Sequence, residues 1–283
     1  MNKYILSLVF IFLTSCQSLV PKEQNLMVEK IPLHVAKSDQ GTFLPYVKIN
    51  VDGHDTDFLF DTGAVTSSIA SDDFTKKYIS QGVSESKGAS GISKAGDLIL
   101  IQKMKMGLQV FSEIKIKRGN VSLLGLDRLK DFVFQVDLKN QSLNLLKALP
   151  NNTKLLVVRR LKPGHFTIPL KFSDIVVDAL FDTGADSTVI DSKFVKQHQN
   201  LFKLVRTEDG TDANGVKIPS QVYSVESIQI GDLVLKNVEM VTFEFGDHMT
   251  KSMEGSPLIL GNNVILKAIW SFDLKQNLWT VEF

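Results

Sequence analysis

Phe58-Leu59-Phe60-Asp61-Thr62-Gly63-Ala64 and Ala179-Leu180-Phe181-Asp182-Thr183-Gly184-Ala185 are two versions of one stretch: a short apolar run, then Asp-Thr-Gly-Ala. One Asp-Thr-Gly turns up by chance in roughly one chain in twenty of this length. Two in matching surroundings point to a duplicated unit and to two carboxyl groups acting as a pair. The continuous apolar runs are what strands covered on both faces require, with an aspartate emerging at the end of each.

The surroundings repeat at further points. A turn signal lies eight residues before each aspartate, Gly53 of Asp52-Gly53 and Asp174 of Ser173-Asp174. Alternating strands enter these turns, with Val47, Ile49 and Val51 in one copy and Phe166, Ile168, Leu170 and Phe172 in the other. Each aspartate is therefore expected on the return strand of a hairpin. Downstream an apolar-apolar-Gly triplet appears as Leu123-Leu124-Gly125 and as Ile259-Leu260-Gly261, and twelve residues after each glycine comes Asp-Leu-Lys, at Asp137 and Asp273. The chain reads as an internal duplication of a β-rich unit.

These motifs resemble the retropepsin-like aspartic proteases, and the resemblance covers nearly all of the chain after its N-terminal segment. Retroviral members pair two identical subunits and pepsin-like members fuse two diverged lobes. This chain is similar to a fused version of retroviral-sized halves. The resemblance implies an all-β fold of two acid-protease lobes related by a pseudo-two-fold axis, with few short helices, acting as a monomer. The helices are expected near residues 71–78, 127–130, 191–197 and 262–267. It also implies an aspartic endopeptidase acting on peptide or protein, with Asp61 and Asp182 catalytic and Thr62, Gly63, Ala64, Thr183, Gly184 and Ala185 in support. Each threonine hydroxyl would bond across to the opposite loop. Leu124-Gly125 and Leu260-Gly261 would pack beneath the loops. The alternative is a non-catalytic peptide-binding envelope lipoprotein of the same fold, although a binding module has no need of two carboxylates that repel.

Glycine-rich stretches after each Asp-Thr-Gly are expected by resemblance to be flaps over a bound peptide: Gly88, Ala89, Ser90, Gly91 and Ile92 in the first half, Gly210, Thr211, Asp212 and Ala213 in the second. Glycine permits the close backbone approach that such tips need. Two departures stand out. Retroviral enzymes pair the aspartate found here at Asp186 with an arginine just after the later glycine, but Leu126 and Asn262 occupy those places and Val65 replaces the aspartate in the first copy. The second half is also 15 residues longer between its Asp and its Gly, 79 positions against 64, with the excess placed around residues 243–256. That loop is expected to flank one end of the cleft.

The N-terminus carries an apolar stretch from Tyr4 to Leu13, too short to span a bilayer, followed by Leu13-Thr14-Ser15-Cys16. This resembles a bacterial lipoprotein signal, so residues 1–15 are expected to be a signal peptide and Cys16 a lipidated residue. Residues 16–30 would be a polar tether, 31–149 the first lobe and 154–283 the second, joined near Pro150-Asn151-Asn152. The expected location is the cell envelope, lipid-anchored and facing the periplasm or exterior. Gln17, where an aspartate would mark inner-membrane retention, points by the same resemblance to the outer membrane.

Composition excludes several classes. With 32 basic and 31 acidic residues the net charge is +1, which gives no field to attract nucleic acid. Cys16 is the only cysteine, so no intramolecular disulfide is available. Five scattered histidines lack metal-ligand spacing, and no phosphate-cradling loop or Gly-x-Ser-x-Gly elbow occurs, so no metal or cofactor is expected. Apolar residues at 43%, with 18 phenylalanines, suffice for two modest cores or one joint core.

Overall fold

The computed structural model describes residues 26–37, 43–87, 93–162, 164–211 and 217–283. Cys16 and the signal segment, the first flap stretch Gly88–Ile92, and Asp212 and Ala213 of the second lie outside the described residues.

The chain is all-β, with helices confined to short pieces. Among the described residues the strands form a sheet of 13 and a sheet of 8. The hairpins expected before each aspartate are present: Phe43–Val51 turns back as His54–Phe60, and Phe166–Phe172 as Ile175–Phe181. Asp52 and Gly53 both take positive φ, 46° and 89°, as the right-handed twist of a two-residue hairpin demands, and Ser173 at 47° opens the second turn. The aspartate-bearing strands then pair in parallel with the later triplets. Phe60 lies opposite Leu124, and Phe181 opposite Leu260.

The larger sheet joins the halves. The hairpin of Val133–Asp137 and Ser142–Leu146 lies against the hairpin of Ile269–Asp273 and Leu278–Glu282, Trp270 opposite Val136 and Phe272 opposite Phe134. At both hairpin ends the repeated aspartate caps its own turn: Asp137 accepts the Asn140 N–H at 3.0 Å, and Asp273 accepts those of Lys275 and Gln276 at 3.1 and 3.0 Å. Below lies a main core shared by both halves. Phe272 meets Phe134, Phe166 and Phe181 at 5.4, 5.0 and 4.7 Å between ring centroids, so aromatics of both halves interlock. Of the two packing outcomes that composition allows, the chain adopts the joint core.

Short helical segments stand at Thr75–Lys77, Leu126–Arg128, Ser192–Gln197 and Asn262–Ile265. A further one, Asp247–Ser252, lies in the extra segment of the second half, where only a loop was expected. The tether boundary at residue 30 needs correcting. A strand begins at Met27 and pairs with Leu146, because Ile31 and Leu33 bury their side chains while the preceding residues complete the ladder.

Candidate active site

Each Asp-Thr-Gly-Ala leaves its strand as a tight turn. The backbone N–H of Asp61 donates to the Leu124 carbonyl at 3.0 Å and that of Asp182 to Leu260 at 3.1 Å, which extends the parallel ladder to the aspartates themselves. Ala64 N–H then folds back on the Asp61 carbonyl at 3.3 Å, and Ala185 N–H on that of Asp182 at 3.4 Å. The two turns meet at the junction of the halves.

Their threonines interlock. Thr62 Oγ1 donates to the Phe181 carbonyl at 2.8 Å and accepts the Thr183 N–H at 3.0 Å; Thr183 Oγ1 donates to the Phe60 carbonyl at 2.7 Å and accepts the Thr62 N–H at 3.0 Å. Both threonines are fully buried. The glycines explain themselves by space, since a Cβ on Gly63 would fall on the Asp182 carboxyl group and one on Gly184 on that of Asp61. Each carboxyl therefore lies flat against the opposite turn. Gly125 and Gly261 are required for a similar reason, because the active-site turns pass directly over them.

The two carboxyl groups face each other and hydrogen-bond. Both aspartates keep some accessible surface, so they form the floor of an opening rather than part of the closed core. Burial, followed by the charge of Asp182 and the bond to it, holds the Asp61 carboxyl well above the usual carboxylate range. Burial also raises Asp182, but the Gly184 N–H, donating to its Oδ1 at 2.8 Å, and the bond from Asp61 both favour its ionised form. The two carboxyls titrate as one unit that holds a single proton between them.

Supporting residues outside the quoted motifs repeat as faithfully as the motifs do. Ser67 and Thr188, six positions after each aspartate, donate from hydroxyl and backbone alike to a carboxylate or amide oxygen two positions after each later glycine. Asp127 Oδ1 accepts from Ser67 at 2.7 and 2.9 Å, and Asn263 Oδ1 from Thr188 at 2.7 and 2.8 Å. The same hydroxyls accept the N–H groups of Gly125 and Gly261, at 3.0 and 3.1 Å. Continuing the alignment of the two halves by six residues exposes this set in the sequence. Asn262, in the place where the resembling enzymes carry arginine, donates through Nδ2 to the Thr183 carbonyl at 2.9 Å and to Phe43 of the other half at 2.7 Å. The Asp186 side chain makes no hydrogen bond or ion pair among the described residues.

His165 has no sequence signal and no counterpart in the first half, where Leu44 stands at the same spacing. Its Nε2 lies 2.9 Å from the Gly63 carbonyl, and burial lowers its pKa, so the neutral ring donates its Nε2–H to the first active-site turn. Of the expected flap residues, Gly210 and Thr211 lie in the strand Phe202–Thr211 on one arm of the second hairpin.

Comparison with known proteins bears on the second half. No curated protein matches the chain. The family model for aspartyl proteases matches residues 168–264, a span that holds Asp182-Thr183-Gly184-Ala185, Thr188, Gly261 and Asn263. That half of the molecule is similar to the aspartyl proteases, and the match supports an aspartic protease as the family to which the paired carboxyls point.

Proposed function

We propose that the protein is a single-chain, retropepsin-like aspartic endopeptidase that hydrolyses peptide bonds with water activated between Asp61 and Asp182. The observation that carries this reading is the facing carboxyl pair, each member laid against the glycine of the opposite turn. Like charges at this range cannot both ionise easily, so one proton is shared; aspartic proteases are a standard instance of that behaviour. The ionised member of the pair takes a proton from water as it attacks the carbonyl carbon, while the protonated member donates to the carbonyl oxygen and a gem-diol forms. The newly protonated carboxyl then gives its proton to the scissile nitrogen as the C–N bond breaks, and a gem-diol hydroxyl returns a proton to the other carboxyl, which releases acid and amine products and restores the singly protonated pair.

The threonine exchange supports this chemistry by removing slack between the turns, and the joint core beneath supports action as a monomer. The N-terminal sequence through Cys16 supports a lipid-anchored protein of the bacterial envelope that meets peptide or protein substrates outside the cytoplasm.

The test is cleavage of a diverse peptide library between pH 4 and 7.5 by the purified protein and its Asp61→Asn and Asp182→Asn variants. Either substitution is expected to lower turnover by at least about a thousandfold, and hydroxyl-containing transition-state analogues should block the parent. A folded parent that binds peptides yet cleaves none would replace this reading with the binding module.

A further inference from the structure

The duplication allows one half to serve as a control for the other, and beside the two aspartates the halves differ. Strand residues two apart share a face, so Leu59 stands beside Asp61 and Leu180 beside Asp182 on the side the carboxyls present. Their partners in the parallel ladders are Leu123 and Ile259. Ala64 and Ala185 complete the two equivalent apolar sites.

In the first half this site is open. Leu59, Leu123 and Ala64 are all half-buried. In the second half Leu180 and Ile259 keep only 7% each. Phe245, Met249 and Met253 cover them, forming a small apolar cluster on which Ala185, Val189 and Phe243 also pack. All three covering residues come from the extra segment. The strand registers match Ala70–Gly119 with Asp191–Phe243. From there four positions lead to Leu123 but sixteen lead to Ile259.

The segment is fastened at both ends. Phe245 N–H donates to Asp191 Oδ1 at 3.2 Å. Glu254 accepts the Lys162 N–H at 3.1 Å and pairs with Arg159 at 3.0 Å, and Arg159 also reaches Asp178 at 2.7 Å. A surface that the first half leaves available has been turned into core in the second.

We propose that residues 244–257 permanently fill the apolar site beside Asp182, so that the cleft accepts a bulky apolar side chain on one side of the scissile bond only. The open site of Leu59, Ala64 and Leu123 takes a residue of the leucine, methionine or phenylalanine class. The filled side takes a residue about the size of alanine. This rests on the protease reading for its consequence and on burial alone for its geometry, and two measurements separate the two.

The first reads geometry without catalysis. In the full chain carrying Cys16→Ser, single Leu123→Cys and Ile259→Cys variants report access to the two sites through their rates of labelling by an uncharged maleimide. Leu123→Cys is expected to label at least about tenfold faster, since a reagent reaches the other thiol only through local opening. Adding Met249→Ala and Met253→Ala should speed Ile259→Cys by about tenfold and leave Leu123→Cys unchanged. Equal rates in the two single variants would overturn the proposal. The second measurement compares kcat/KM for peptides in which phenylalanine and alanine are exchanged on either side of the cleaved bond. The parent should reject phenylalanine in favour of alanine by about ten- to two-hundredfold on one side of the bond and not on the other, and the Met249→Ala, Met253→Ala variant should lose that rejection. A cleaving parent whose preference is unmoved by those substitutions refutes the proposal and leaves the protease reading standing. Absence of cleavage counts against the protease reading, and the labelling rates then decide whether the site is filled.

Discussion

Thr62 and Thr183 hold each other in place across 121 positions of sequence, each hydroxyl accepting the other's backbone N–H at 3.0 Å. Each also donates to the carbonyl preceding the opposite aspartate, at 2.8 and 2.7 Å. Four buried backbone groups are satisfied by two side chains, and the halves cannot shift without breaking all four bonds.

Thr183→Val keeps the shape of the side chain but strands the Thr62 N–H and the Phe60 carbonyl in a buried site. The expected loss is about 2–4 kcal/mol in urea unfolding, from two unsatisfied polar groups. Thr183→Ser, which retains the hydroxyl, should cost less than about half of that. A loss for serine with none for valine would show that the methyl contacts matter and the hydrogen bonds do not.

Gly184→Ala tests the space that the opposite carboxyl occupies. Gly184 does not stand among the positive-φ residues, so the backbone tolerates alanine and the whole penalty falls on contact with the Asp61 carboxyl. Displacing that group by about 1 Å should lower turnover at least about a hundredfold. Circular dichroism should still report a β-rich fold, and full activity in this variant would show that Asp61 need not stay where it lies.

Stability should fall as pH rises through the titration of the pair. Asp61 is raised above its unfolded value, so the native state holds a proton that the unfolded chain has released. The stabilisation is fully present below the usual carboxylate range and is lost toward neutral pH, with a slope of at most about 1.4 kcal/mol per pH unit. Asp61→Asn should flatten this part of the profile and unfold at higher urea concentration than the parent near pH 7. Parallel profiles for the two proteins would remove the buried shared proton from the account.

Asp127 and Asn263 perform one task with different chemistry, each offering a single oxygen to a hydroxyl and an N–H. Asp127 Oδ2 also pairs with Arg128 at 3.2 Å, so Asp127→Asn should cost that ion pair alone, about 1 kcal/mol, whereas Asp127→Ala also leaves the Ser67 donors unpaired and should cost about 3 kcal/mol. Thermal unfolding of both variants distinguishes an acceptor that is needed from a charge that is needed.

Much of the site was legible before any coordinates because the chain carries its own comparison. Residues at equal spacing in two copies mark positions where the same local geometry is needed twice, which is why the aspartates, the threonines and the later glycines stood out. Ser67, Thr188, Asp127 and Asn263 obey the same rule and were within reach of it. His165 and the three covering residues Phe245, Met249 and Met253 were not, because each belongs to one half alone and a lone histidine or methionine has no distinctive spacing.

The sequence by itself determined the all-β character, the two hairpins that deliver Asp61 and Asp182, and the turn chemistry at Asp52-Gly53, since these follow from alternation and turn preference over a few residues. Only the tertiary structure decided how the halves combine. The merging of two hairpins into one sheet through Phe134 and Phe272, the facing of two carboxyls from residues 61 and 182, and the filling of one apolar site by a segment absent from the other half all join residues far apart in the chain. Such contacts are chosen by burial and by hydrogen-bond satisfaction across surfaces that exist only after folding, and no local pattern encodes them.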